Sequence, residues 1–127
     1  AEDLDPGIAP RLVRCGPWFA VIAVRDLAAL RRIRVDAGAM GGDGLPGYVF
    51  IVCRGGYQPD ATFGARMVFF DGTALRGDPA TGAANAALGQ YLHRLGVRGA
   101  VVVEQGFEIG RPSRIHLDIR DSAPGVP

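Results

Sequence analysis

The residues best placed to do chemistry form segment 77–84, which reads Gly-Asp-Pro-Ala-Thr-Gly-Ala-Ala. We call it the entrance segment, because residues with helical spacing follow it directly and we expect a helix to begin there. The first turn of a helix presents backbone N–H groups without intrahelical partners, together with partial positive charge. Since Gly77 and Gly82 carry no side chains, a small carboxylate or phosphate could approach these N–H groups closely.

A simpler interpretation of the same residues needs no ligand. Asp78 suits the N-cap of a helix and Pro79 suits its first helical position. Such a cap stabilises a helix by about 1 kcal/mol. The two interpretations compete, because a carboxylate that accepts hydrogen bonds from helix N–H groups has a lowered pKa and is a poorer acid. The residues alone leave both open.

The helix that follows carries the strongest helical pattern in the sequence, over residues 79–95. Its apolar face is predicted at positions 84, 87, 88, 91, 92 and 95, and Gly96 is the expected stop. Small residues near its start would let a sheet approach its backbone closely. Asn85, Gly89 and His93 fall on a narrower face of the same helix.

The remaining patterns predict strands on both sides of this helix. They lie at residues 11–15, 19–24, 47–54, 62–70, 100–105 and 114–120, with a short helix over residues 27–34 capped by Asp26. This order predicts an α+β domain whose sheet packs on the long helix. We expect residues 1–10 to be a linker or loose terminus, 36–47 and 71–77 to be loops, and 121–127 to be a frayed tail. A chain of 127 residues suits one domain.

Composition excludes several classes of partner. A net charge of +1 gives no field that would steer the chain to nucleic acid or an anionic membrane. No apolar run approaches the ~18 residues of a membrane span, and we expect no signal peptide before the domain. Cys15 and Cys53 fit no zinc or redox spacing, so we predict reduced, buried thiols in a cytoplasmic protein.

Other motifs carry little chemistry. Residues 42–47 fit Gly-x-Gly-x-x-Gly, but a strand follows them where a dinucleotide site needs a helix. His93 and His116 lack acidic partners at ligand spacing, so we predict no metal site. Ser113 has no nearby base in the sequence that would make it a nucleophile.

The entrance segment and two later motifs resemble the phenazine-biosynthesis (PhzF-like) isomerase family. Its members carry Glu-Asp-Pro-Ala-Thr-Gly-Ser-Ala at the start of the central helix of their second lobe. They also carry Gln-Gly, which stands here as Gln105-Gly106, and then Gly-Arg-Pro-Ser, which stands here at residues 110–113. The strand at residues 66–69 fits as well. The resemblance covers residues 11–120 as a single C-terminal lobe.

The resemblance implies one lobe of the diaminopimelate-epimerase-like fold, a mixed or antiparallel sheet wrapped around a central helix. In that fold the active site lies between two such lobes. The implied chemistry uses no metal and no organic cofactor: a Glu on the first lobe moves a proton at carbon. The diaminopimelate epimerases share the architecture and use paired Cys instead.

The resemblance also implies roles for single residues. Asp78 would bind substrate or assist proton movement, and it is the one catalytic residue expected in this chain. Gly77, Thr81, Gly82 and Ala83 would complete the substrate-binding segment, with the Gly82 N–H facing the ligand. Gly77 replaces the family's Glu and Ala83 replaces its Ser, so two polar side chains are lost.

Two further implications concern residues outside the entrance segment. Arg111 would be structural and lie near the core of the lobe. No residue here matches the catalytic Glu, because Glu104 and Glu108 lie in a strand and a loop of the second lobe.

We therefore expect half of a cofactor-independent isomerase or epimerase acting on a small anionic metabolite. A separate first-lobe chain would supply the catalytic Glu. The alternatives are a non-catalytic binding or assembly module that pairs with a second copy of itself, or a truncated piece of a two-lobe isomerase.

Overall fold

The computed structural model describes residues 3–34, 47–70, 75–78 and 81–121. The strands are β1 Arg11–Arg14, β2 Trp18–Val24, β3 Tyr48–Arg54, β4 Phe63–Phe70, β5 Leu75–Asp78, β6 Gly99–Gln105 and β7 Ser113–Ile119. The helices are α1 Leu27–Arg32 and α2 Gly82–Arg94, with a 3₁₀ turn at Phe107–Ile109. The predicted loop at residues 71–77 is wrong for its last residues, which form β5. The predicted loop at 36–47 and tail at 121–127 lie almost wholly outside the described residues.

The strands form one mixed sheet that curls around α2. Its order is β1-β2-β3-β4-β6-β7, and β5 pairs with β4 outside this path. The β2–β3 and β4–β6 pairs are parallel, and the other pairs are antiparallel. Because α2 contacts both β1 and β7, the two ends of that order, the sheet must bend around the helix. The predicted α+β lobe with a central helix is confirmed.

Strand β4 divides its outer edge between two partners, and we call this point the fork. Its first part pairs with β6, where Ala65 lies opposite Gln105. Its second part pairs with β5, where Met67 lies opposite Asp78. Residues directly opposite each other in a sheet project from the same face. Ala65 and Met67 belong to the core around α2, so Asp78 and Gln105 both project towards that helix.

The two faces of β4 contribute to separate cores, because successive residues of a strand project to opposite faces of the sheet. Phe63, Ala65 and Met67 join the core around α2, whereas Val68 joins a smaller core under α1. Arg66 projects to the α1 side, where its Nη1 atom donates to the carbonyls of Leu30 and Ile33, each at 2.9 Å. The arginine thereby satisfies carbonyls at the carboxyl end of α1.

Helix α2 buries most of its predicted apolar face, but not all of it. The buried members are Ala84, Ala87, Leu88, Tyr91 and Leu92. Leu95 remains 46% exposed, so its assignment to the buried face is wrong. The physical reason is that Leu95 is the C-cap, and Gly96 at φ 92° then turns the chain away.

The start of the chain packs onto the domain, which differs from the expected linker or loose terminus. Leu4 forms a β-bridge with Val24, and Ile8 is 4% exposed in the core around α2. The buried Asp5 carboxylate accepts a hydrogen bond of 2.7 Å from Nε of Arg54. Together these contacts hold residues 4–8 against the sheet.

Replacing Asp5 with Asn should lower the free energy of unfolding by about 1 kcal/mol at neutral pH, because the hydrogen bond from Arg54 to this part-buried site loses its charge assistance. The Arg54 hydrogen bond, with help from the Gly7 N–H, lowers the pKa of Asp5 below its ordinary value. A carboxyl whose pKa is lowered by folding stabilises above its unfolded pKa and loses that effect as the pH falls. Urea denaturation should therefore show the difference between the two proteins vanishing as the pH falls below about 4. A constant difference down to pH 2.5 would contradict this assignment.

The two cysteines differ in environment. Cys53 is buried, and burial raises the pKa of its thiol to about 11. Cys15 is only half-buried, so the prediction of burial holds for Cys53 alone. In the described ranges, no helix is long and apolar enough to cross a bilayer. The same ranges contain no group of three or more His, Cys, Asp or Glu that could hold a metal ion.

Candidate functional site

The entrance segment links the end of β5 to the start of α2 at the fork. Asp78 is the last residue of β5, Thr81 is the N-cap of α2, and the two residues between them lie outside the described ranges. The predicted helix start at residue 79 is therefore too early. Asp78 pairs with β4 and does not cap α2, so its interpretation as a plain N-cap is wrong. This leaves the carboxylate for another use.

Asp78 and Thr81 are joined by a side-chain hydrogen bond. The Thr81 hydroxyl donates to Oδ2 of Asp78 over 2.5 Å. Because the hydroxyl is used in this way, Thr81 makes no side-chain cap to the first turn of α2. The bond also restricts the Asp78 carboxylate, which is half-buried at the edge of the fork.

Two buried amides lie beneath these residues, and we call Gln105 and Asn85 the amide pair. Nε2 of Gln105 donates to the Asp78 carbonyl at 2.7 Å and to Oγ1 of Thr81 at 3.0 Å. Nδ2 of Asn85 donates to Oε1 of Gln105 at 3.0 Å and to the Thr81 carbonyl at 2.9 Å. The amide pair thus ties the end of β6 to the start of α2.

Asn85 is the least satisfied member of this network. Its residue is 1% exposed, yet Oδ1 has no hydrogen-bond partner among the described residues. A buried acceptor without a partner costs about 1–3 kcal/mol. The sequence pattern places Asn85 on the narrower face of the helix and does not reveal that the residue is buried.

The first turn of α2 presents backbone to its surroundings. Gly82 and Ala83 are exposed, and a Cβ placed on Gly82 would meet nothing within 4 Å. The first N–H groups of a helix have no intrahelical partners and favour negative charge. The space beside Cα of Gly82 is therefore open.

Gly77 faces the other side of β5. It lies opposite Val68, a member of the α1-side core, whereas Asp78 lies opposite Met67. A Cβ on Gly77 would lie 3.2 Å from Cγ2 of Ile109. A cavity of about 200 Å³ opens there, lined by both Gly77 and Asp78 and by Arg34, Arg66 and Arg76. Gly77 and Asp78 thus both line this cavity, although they lie on opposite faces of β5.

Glu104 is buried for a structural reason. Its carboxylate accepts hydrogen bonds from the backbone N–H of Tyr57 at 2.5 Å and from that of Gln58 at 3.1 Å. It also lies 3.5 Å from Nη1 of Arg114. These bonds attach the turn before β4 to β6, so Glu104 is not a free general base.

Gly56 makes room for this carboxylate. A Cβ at position 56 would lie 2.2 Å from Oε1 of Glu104. Gly56→Ala should therefore lower the free energy of unfolding by about 1–3 kcal/mol, because the carboxylate must move from its backbone donors. Gly89→Ala is the matched control, since nothing lies within 4 Å of its added Cβ, and it should stabilise α2 by about 0.5–1 kcal/mol. Thermal unfolding of both variants checks the pair, and equal effects would contradict the account of Glu104.

The other polar residues singled out in the sequence stay apart from the entrance segment. His93 is half-buried, with Nε2 3.0 Å from Oδ1 of Asp121, and His116 is exposed on β7. The Ser113 hydroxyl donates to the Gln105 carbonyl at 3.2 Å. Arg111 is exposed, so its expected position near the core is wrong. Its backbone N–H donates to the Gly106 carbonyl at 2.9 Å.

Fold and site together define one lobe of a two-lobe class of α+β protein, in which a curled mixed sheet surrounds a helix whose first turn faces outward. The sequence profile of the phenazine biosynthesis-like protein family matches residues 1–125. The chain belongs to that family.

Individual relatives agree with this assignment. The chain is 33% identical over 114 residues to an uncharacterized isomerase of Mesorhizobium japonicum, a match that covers 82% of this chain and 37% of that protein. Among solved structures, the PhzF-family protein of Bacillus anthracis superposes with a TM-score of 0.72 at 24% identity, covering 90% of this chain and 41% of that one. The PhzF-family protein of Enterococcus faecalis gives a TM-score of 0.60 at 19% identity, with coverage of 93% and 45%. The chain thus spans less than half the length of these relatives.

Proposed function

We propose that this chain is the ligand-holding half of a cofactor-independent isomerase or epimerase, acting on a small metabolite that bears a carboxylate. A separate first-lobe chain would supply a Glu as general base. Family membership and the isomerase name of the Mesorhizobium japonicum relative support the reaction class. The single observation that carries the proposal is that Asp78 does not cap α2 but lies beside a first turn whose backbone is open.

The proposed reaction moves one proton. The first-lobe Glu takes it from a carbon atom of the substrate, leaving an electron pair that delocalises towards neighbouring unsaturation or the carboxylate. Preorganised N–H groups stabilise such developing negative charge. In this chain those groups are the first-turn N–H groups, led by that of Gly82. Asp78 binds the substrate or assists return of the proton to carbon.

The two departures from the family signature affect binding. With Ala83 in place of Ser, one hydroxyl contact to the ligand is lost. With Gly77 in place of Glu, no acidic side chain projects next to Ile109. The ligand of this chain is therefore held mainly by backbone N–H groups, Asp78 and whatever the first lobe adds.

The competing proposal is a binding or assembly module that pairs with a second copy of itself, and the half-length match favours neither version. The same half-length is consistent with a truncated piece of a two-lobe isomerase. Native mass spectrometry of the protein isolated from its source separates these cases. A complex of this 13.4 kDa chain with a second chain of the same family supports the proposal. A homodimer would support the module instead, and a single polypeptide of twice the mass would support the truncated isomerase.

A further inference from the structure

We propose that Gln105 is a positioning residue, which fixes the Asp78 carboxylate through the hydroxyl of Thr81. The use of this positioning in catalysis rests on the proposed function of Asp78. The effect of Gln105 on the Asp78 side chain does not, and it can be tested in this chain alone. Neither the reaction class nor the family match assigns such a role to Gln105.

The Thr81 hydroxyl carries a single hydrogen, which fixes the direction of its two side-chain hydrogen bonds. That hydroxyl donates to Oδ2 of Asp78 at 2.5 Å, so its contact of 3.0 Å with Nε2 of Gln105 must be one in which it accepts. The donor sequence therefore runs from Gln105 through Thr81 to the carboxylate. The other hydrogen of Nε2 donates to the Asp78 carbonyl at 2.7 Å. The Gln105 amide thereby holds the backbone of Asp78 directly and its side chain through the Thr81 hydroxyl.

Asn85 sets the direction of the Gln105 amide. Nδ2 of Asn85 donates to Oε1 of Gln105, and so does the backbone N–H of Thr81 at 3.4 Å. If the Gln105 amide turned over, its NH₂ group would meet two donors and its oxygen would face the Asp78 carbonyl. Both residues are at most 1% exposed, so water cannot relieve such a mismatch. Only the orientation of the Gln105 amide with its NH₂ group towards Thr81 therefore gives each of these described groups a matching donor or acceptor.

Oδ1 of Asn85 has no hydrogen-bond partner among the described residues. A small apolar residue at position 85 would remove the penalty of that buried acceptor. An amide at this place is therefore costly to stability and useful for directing Gln105. Such a cost is expected where a buried polar network fixes a functional group.

The test follows the side-chain rotamer of Asp78 by NMR in the ¹³C,¹⁵N-labelled chain. Three-bond couplings from the backbone N and carbonyl carbon to Cγ report the χ1 populations of this one residue. We expect a single staggered rotamer in the unaltered chain and in Thr81→Ser, which keeps the hydroxyl. We expect averaging over two or more rotamers in Gln105→Glu, which keeps the shape but turns a donor into an acceptor. Thr81→Val should average as well and avoids placing a new charge in the core.

A merely structural role for Gln105 predicts a different pattern. In that case Tm would fall while the Asp78 couplings of the folded protein stayed at their single-rotamer values. Unchanged couplings in folded Thr81→Val, or averaging already in the unaltered chain, would overturn the proposal. Enzyme kinetics test the proposed function separately. In the proposed two-lobe assembly, a variant that no longer fixes the Asp78 carboxylate should have a kcat lowered by about 10²-fold, with a smaller change in KM. If the variants mobilise Asp78 but leave kcat unchanged, the positioning role of Gln105 is supported. The catalytic role of Asp78 is then refuted.

Discussion

Asp78→Asn in the proposed two-lobe assembly should lower the rate of proton exchange at the substrate carbon by about 10²–10⁴-fold, the usual range for loss of a positioned acid or base. The substitution is nearly isosteric. Its backbone still pairs with Met67, its carbonyl still accepts from Gln105, and an amide oxygen can still accept from the Thr81 hydroxyl. The loss should therefore be chemical, with little change in the free energy of unfolding.

Asp118→Asn is the matched control for that experiment. Asp118 is an exposed residue of β7 paired with Arg120, which is also exposed. Exposed ion pairs contribute little to stability, and this one lies away from the entrance segment. Its exchange rate should equal that of the unaltered protein. An Asp78→Asn protein that keeps more than half of the activity would contradict the assignment of Asp78.

Leu88→Ala should cost about 2–5 kcal/mol of the free energy of unfolding, the largest stability change we expect in this chain. Leu88 is 1% exposed in the core where α2 meets the sheet. Removing its terminal isopropyl group leaves a cavity that the curled sheet cannot fill, because strands on both sides already hold their register.

Leu95→Ala, at the end of the same helix, provides the comparison. Its side chain is 46% exposed, so its removal should cost less than about 1 kcal/mol. Urea denaturation of both variants measures the difference. Similar losses would mean that the sheet does not wrap around α2 as described.

Much of the fold follows from local sequence patterns. The alternation of β4 predicts which residues face each core, and Asp26 predicts the start of α1, where it accepts from the Ala29 N–H at 2.8 Å. Gly96 predicts the end of α2 because a left-handed residue is needed there. These features depend on neighbours within a few residues, which is why one sequence suffices to find them.

The errors have a common cause in long-range contacts. Asp78 and Pro79 form a good local helix start, but pairing of Asp78 with Met67 places the residue in a strand. Asp5 and Ile8 look like parts of a loose segment, yet partners distant in sequence, such as Arg54, bury them. Local propensity is a weak prior wherever tertiary contacts compete with it.

The candidate site divides in the same way. The resemblance identifies Asp78, Thr81 and Gly82 by their motif. It does not reveal that Asn85 and Gln105 meet beneath them, because these residues are 20 positions apart and come together only at the fork. The signal in the sequence is that both side-chain amides border apolar runs. An amide that becomes buried there needs a hydrogen-bond partner.

The most direct test of the central claim is solvent deuterium incorporation into small carboxylates that bear an acidic C–H, followed by ¹H NMR. Three samples are compared: this chain alone, this chain with the first lobe, and this chain with a first lobe whose catalytic Glu is replaced by Gln. We expect incorporation only in the second sample, because half a site holds a ligand but lacks the base. Incorporation by the isolated chain at a rate close to that of the assembly would contradict the account.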